Sequence, residues 1–177
     1  MKQYVALFRG INVGGNNILP MAKLRELLTA MGLADVRSYI QSGNIVARSD
    51  LAQGALEQLV HQLIQREFGG ELTIVARTAS QFHMIFQRNP YPEIDRKRIY
   101  FTLLAERAVP ERIEALQARD IAPDELQLID GVIYLRYATQ LSHSPVNNNA
   151  LERWLKVAAT TRNYNTMEKL VHLSTEH

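Results

Sequence analysis

Val36-Arg37-Ser38-Tyr39-Ile40-Gln41-Ser42-Gly43-Asn44-Ile45-Val46-Ala47 holds two strand signals in direct succession. Val36 to Ile40 and Ile45 to Ala47 are short and β-rich, and Gln41-Ser42-Gly43-Asn44 joins them, with Gly43 supplying the positive φ of a tight turn. A helical pattern flanks this hairpin on each side. Upstream, Pro20 suits the first position of a helix, and Leu24, Leu27, Leu28 and Met31 recur at i, i+3, i+4 and i+7. That spacing predicts one buried stripe, closed by Gly32. Downstream, Asp50 with Gln53 reads as a capping box opening a helix through Leu56, Leu59, Val60, Leu63 and Ile64, closed by Gly69-Gly70. Outermost lie Tyr4-Val5-Ala6-Leu7-Phe8 and Leu72-Thr73-Ile74-Val75, both strand signals. The order over residues 1–77 is therefore β-α-β-β-α-β, the split βαβ or ferredoxin-like arrangement. Both alternating sets of the first strand are apolar, so both sheet faces need cover, and the second half of the chain is the expected source.

Thr78 is placed to cap a helix carrying Phe82, Ile85 and Phe86, which must stop before Asn89-Pro90-Tyr91-Pro92. This break sets the expected boundaries: a first half at 1–77, a bridging helix and linker at 78–95, and a second half at 96–177. There a strand from Ile99 to Leu104 precedes a helix from Pro110 through Ile113 and Leu116. Leu126 to Ile129 and Val132 to Leu135 flank Asp130-Gly131, a strong hairpin signal. Helical stretches around Leu151 to Val157 and Met167 to Leu173 finish the chain. Asn147-Asn148-Asn149 reads as a loop running into a cap, and Asn165 with Glu168 as a capping box for the last helix. The fold class is α+β: two ferredoxin-like halves in tandem, with extra C-terminal helices.

The 177 residues are 46% apolar and 21% charged, the balance of a globular fold. Twenty Lys and Arg face 18 Asp and Glu, too thin a surplus for a dedicated nucleic-acid face. With no cysteine, disulfides, thiolate metal sites and a cysteine nucleophile are excluded. No stretch reaches the length of a bilayer span, and the start lacks a signal-peptide apolar run, so the cytoplasm is the expected location.

Gly10-Ile11-Asn12-Val13-Gly14-Gly15-Asn16-Asn17 links a strand to a helix, as a P-loop does. Asn16 and Asn17 stand where Lys and Ser or Thr would be needed, which excludes that mode of ATP hydrolysis, and the dinucleotide glycine spacing is missing. What the segment does offer is backbone N–H groups free of side chains and a helix N-terminus that favours negative charge. A long turn that needs glycine for positive φ explains the same residues. The third strand, Asn44-Ile45-Val46-Ala47-Arg48, carries none of the aromatics by which ferredoxin-like sheets read RNA. The five histidines show no metal-ligand spacing, and His61 reads as a surface or packing residue. Ser42 lacks a nucleophile-elbow context. No metal or cofactor is expected.

Arg9-Gly10-Ile11-Asn12-Val13-Gly14-Gly15, Ile40-Gln41-Ser42-Gly43-Asn44 and Thr160-Thr161-Arg162-Asn163, in this order, closely resemble the bacterial family called domain of unknown function 1697. Asn89-Pro90 and Lys169-Leu170 match it too, while Tyr164 stands where tryptophan is common. The resemblance implies an α+β fold of ferredoxin-like parts. It brings no activity, substrate or catalytic residue with it.

Two functional readings follow. The first is a cytoplasmic protein that binds a small anionic or polar ligand at the glycine-rich loop, with or without catalysis, through Arg9, Asn12, Gly14, Gly15, Gln41, Ser42, Asn44 and Arg162. The loop and the 41–44 turn are expected to meet at one sheet edge, with Asn44 beside Arg9 and Gly10. The second reading is an interaction module for nucleic acid or protein, using the sheet and Arg9, Arg37, Arg48 and Arg162. Nucleic acid is the less expected partner, a membrane is not expected, and oligomeric state is not legible.

Overall fold

The computed structural model describes residues 1–11, 18–139 and 143–176. Its first strand, β1 (Lys2–Phe8), is buried on both faces from Tyr4 to Phe8, as its unbroken apolar run requires. Helix α1 (Met21–Ala30) then leads to β2 (Ala34–Ser38), β3 (Asn44–Ser49), α2 (Gln53–Phe68), β4 (Ile74–Thr78) and α3 (Ala79–Gln87). A 3-10 helix (Glu93–Arg98) precedes β5 (Ile99–Leu104), α4 (Pro110–Gln117), β6 (Glu125–Ile129), β7 (Val132–Arg136), α5 (Asn148–Leu155), β8 (Ala159–Asn163) and α6 (Tyr164–Thr175).

The strands form two antiparallel four-stranded sheets, ordered β2-β3-β1-β4 and β6-β7-β5-β8. Both halves run through the same seven elements, β-α-β-β-α-β-α, and the registers repeat as well. Asn44 lies opposite Leu7 in the first sheet, and Val132 opposite Leu103 in the second. Gly43 and Gly131 both adopt left-handed backbone at the hairpin that precedes those residues. Just past each central strand, the Arg9 N–H donates to the Thr73 carbonyl at 3.0 Å, and the Ala105 N–H to the Ala158 carbonyl at 2.8 Å. The fold is α+β with two ferredoxin-like halves in tandem.

By contact the chain divides into residues 1–84 with 169–177, and residues 85–168, so the division falls inside α3 and inside α6. In the first unit, Tyr4, Ala6 and Phe8 face Leu24 and Leu28 of α1 and Leu56 and Leu63 of α2. The Arg37 guanidinium donates to the Leu173 and Glu176 carbonyls at 2.7 and 3.1 Å, closing the C-terminal end of α6 with positive charge where the helix dipole favours it. In the second unit, Leu104, Ile133 and Leu135 pack with Leu116 of α4 and Leu151 and Leu155 of α5. The aromatic ring of Tyr164 sits 5.0 Å from Phe86, with the Arg96 guanidinium 4.8 Å above it.

Several local expectations are corrected. Pro20 is the N-cap of α1 rather than its first helical residue. The buried face of α1 is Met21, Leu24 and Leu28, while Leu27 is half-buried and Met31 exposed, because the helix ends at Ala30 and Met31 is its C-cap. Asp50 caps nothing: its carboxylate pairs with the amino terminus of Met1 at 2.9 Å, and α2 starts after Ala52 without a side-chain cap. The last helix is capped by Asn163, whose Oδ1 accepts from the Thr166 N–H at 2.9 Å, not by Asn165. Strand β4 begins at Ile74 rather than Leu72. Between the two final helices lies a strand, β8, that the sequence pattern does not announce. Other signals hold. Gly32 and Gly69 end their helices in positive φ, Thr78 and Gln81 exchange capping bonds, and Asn147 caps α5.

Candidate functional site

The chain leaves β1 through Phe8, fully buried, into half-buried Arg9 and then Gly10 at φ 76°. The β2–β3 turn packs directly on this exit. The Phe8 N–H donates to the Gly43 carbonyl at 2.8 Å, extending the β1–β3 ladder by one bond. A Cβ on Gly43 would stand 2.5 Å from Ile11 Cδ1 and 2.8 Å from Phe8 Cβ, and its φ is 82°. Close approach and left-handed backbone thus both demand glycine there.

Within the turn, the Tyr39 N–H donates to the Asn44 carbonyl at 3.0 Å. The Asn44 Nδ2 donates to the Tyr39 carbonyl at 2.9 Å and to Ser42 Oγ at 3.0 Å, and the residue is fully buried. Asn44 therefore organises the turn from inside and does not face solvent, whereas Gln41 is exposed and Ser42 half-buried. Ile40 is exposed and held at φ 49°, a region where a β-branched side chain is strained.

Arg9, Gln41, Ser42 and Asn44 accordingly lie on one end of the first sheet, although the register puts Asn44 opposite Leu7, two residues before Arg9. Asn12, Gly14 and Gly15 lie outside the described residues. Arg162 belongs to β8 in the second unit. Its Nη1 donates to Thr160 Oγ1 at 2.7 Å and to the Thr161 carbonyl at 3.0 Å, and burial pushes its pKa down to about 10.

Arg162 has a counterpart that the family motifs do not single out. Arg77 occupies the same place in β4, opposite Val5 as Arg162 is opposite Phe101, and its Nη1 likewise donates to the preceding carbonyl, that of Ala76, at 2.7 Å. Burial lowers its pKa too, with the Glu57 carboxylate working in the other direction. The signal that could have found it is the alignment of Ile74-Val75-Ala76-Arg77-Thr78 with Ala159-Thr160-Thr161-Arg162-Asn163.

His61 is half-buried and bonded locally: its Nδ1 lies 2.7 Å from the Leu72 carbonyl, and its Nε2 3.6 Å from Glu71. Among the described residues, no group of three or more His, Cys, Asp or Glu is placed to hold a metal ion, and no helix is long and apolar enough to cross a membrane.

Residues 1–134 match the family model described as "Protein of unknown function (DUF1697)". The chain belongs to this family. The match ends within β7, ahead of α5, β8 and α6. No curated protein matches the chain. Among solved structures, the "conserved bacterial protein SP0830 from Streptococcus pneumoniae" is similar at 24% identity, with a TM-score of 0.78 over 98% of this chain and 99% of that one. That likeness extends the shared fold through the C-terminal elements.

Proposed function

We propose that this DUF1697 protein binds a small anionic or polar ligand at the end of its first sheet where β1 gives way to the glycine-rich segment. The observation that carries the reading is the seating of the 41–44 turn on the β1 exit, through the Phe8–Gly43 bond and the close approach at Gly43. It gathers Arg9, Gln41 and Ser42 at one end of the sheet. Arg9 carries a guanidinium, whose planar geometry suits a carboxylate or phosphate, and Gln41 and Ser42 carry an amide and a hydroxyl capable of adaptable hydrogen bonds. The strained, exposed backbone at Ile40 adds support, because such strain concentrates at sites where function fixes the geometry. A cytoplasmic location is part of the proposal and fits a chain without cysteine.

The test is a thermal-shift screen of the purified chain against a library of metabolites and nucleotides, since a ligand that binds only the folded state raises the melting temperature. The reading expects hits that carry a carboxylate or phosphate and act at moderate ionic strength. Binding to oligonucleotides alone, weakening steeply with salt, would replace it with a phosphate-backbone interaction.

A further inference from the structure

We draw no further inference here: the strongest candidate, the open groove of about 570 Å³ between the C-terminal end of α4 and the edge strand β6, sets the apolar side chains of Leu116, Ile121, Leu126 and Leu128 beside the charges of Arg119 and Glu125, and nothing in the structure shows what covers it.

Discussion

At the residue scale, the 39–44 turn contains two positions that want opposite substitutions. Gly43 needs positive φ and has no room for a Cβ beside Phe8 and Ile11. Gly43→Ala combines a left-handed penalty with overpacking, and should cost roughly 2–4 kcal/mol of unfolding free energy, read as a lowered urea midpoint. Ile40 occupies the same backbone region without being suited to it. Ile40→Asn places there a residue that tolerates left-handed φ, and should raise stability by about 1 kcal/mol in the same assay. A ligand-bearing turn adds a second expectation: the more stable variant should bind no better than wild type. The tight turn at Gly43 was legible from the sequence, because a glycine between two β-rich runs marks the point where the chain must reverse. The strain at Ile40 was not, since a β-branched residue next to a strand reads as more strand.

At the element scale, α2 and α5 use the same device to secure the last strand of their halves. Each carries a glutamate at its fifth residue. Glu57 Oε1 accepts from the Ala76 N–H at 2.7 Å, and Glu152 Oε1 from the Ala159 N–H at 2.9 Å. Because β4 and β8 are edge strands, such N–H groups find no partner strand on their outer side. In the second half, Thr161 adds a bond to Asn148 Oδ1 at 2.9 Å and meets Thr102 Oγ1 at 2.7 Å. Removing the carboxylate leaves an N–H without its acceptor, so Glu152→Ala should lower unfolding free energy by about 1–3 kcal/mol. Hydrogen exchange should localise the loss to β8, and a uniform loss across both halves would contradict this role for Glu152. The same polar bonding explains why β8 is hard to see in the sequence. Thr160-Thr161-Arg162-Asn163 lacks the alternating apolar pattern of a half-buried strand, because its side chains bond to neighbours instead of filling a core. Strands β1, β3, β5 and β7 were legible because their burial is carried by Val, Ile, Leu and aromatic residues. Asp50 does not cap α2, because the start of a helix depends on where the preceding strand releases the chain. Here Ser49, not Asp50, holds that corner by accepting from the Leu51 N–H at 3.1 Å.

For the whole molecule, the tandem arrangement duplicates a scaffold without duplicating its chemistry. Arg77 and Arg162 occupy equivalent strand positions, yet Arg9 at the β1 exit has alanine, Ala105, as its counterpart after β5. In the second unit, buried phenols donate to backbone carbonyls. Tyr134 donates to the Ile85 carbonyl at 2.8 Å and Tyr91 to the Tyr134 carbonyl at 3.4 Å. Burial raises both pKa values to about 12, so each folded-state pKa lies above the ordinary tyrosine value of 10. The folded form then holds its phenol protons where the unfolded form releases them. This stability is fully present below pH about 10 and is lost as pH rises toward 12. Urea midpoints should accordingly fall across that window, and less steeply in a Tyr134→Phe variant. An unchanged slope in that variant would show that Tyr134 does not titrate in this way.

The proposed ligand site has an asymmetric signature, because it needs the particular geometry of Arg9 and not merely its charge. The most direct test is to measure, by isothermal titration, the affinity of wild type and Arg9→Lys for the best anionic compound found in the screen, alongside their melting temperatures without ligand. Lysine keeps the positive charge but loses the planar pair of donors. Arg9→Lys should show at least a roughly tenfold weaker Kd, equivalent to about 1.4 kcal/mol, with the ligand-free melting temperature held. Equal affinity in the two proteins, or a screen in which no anionic or polar compound stabilises wild type, would contradict the proposed site.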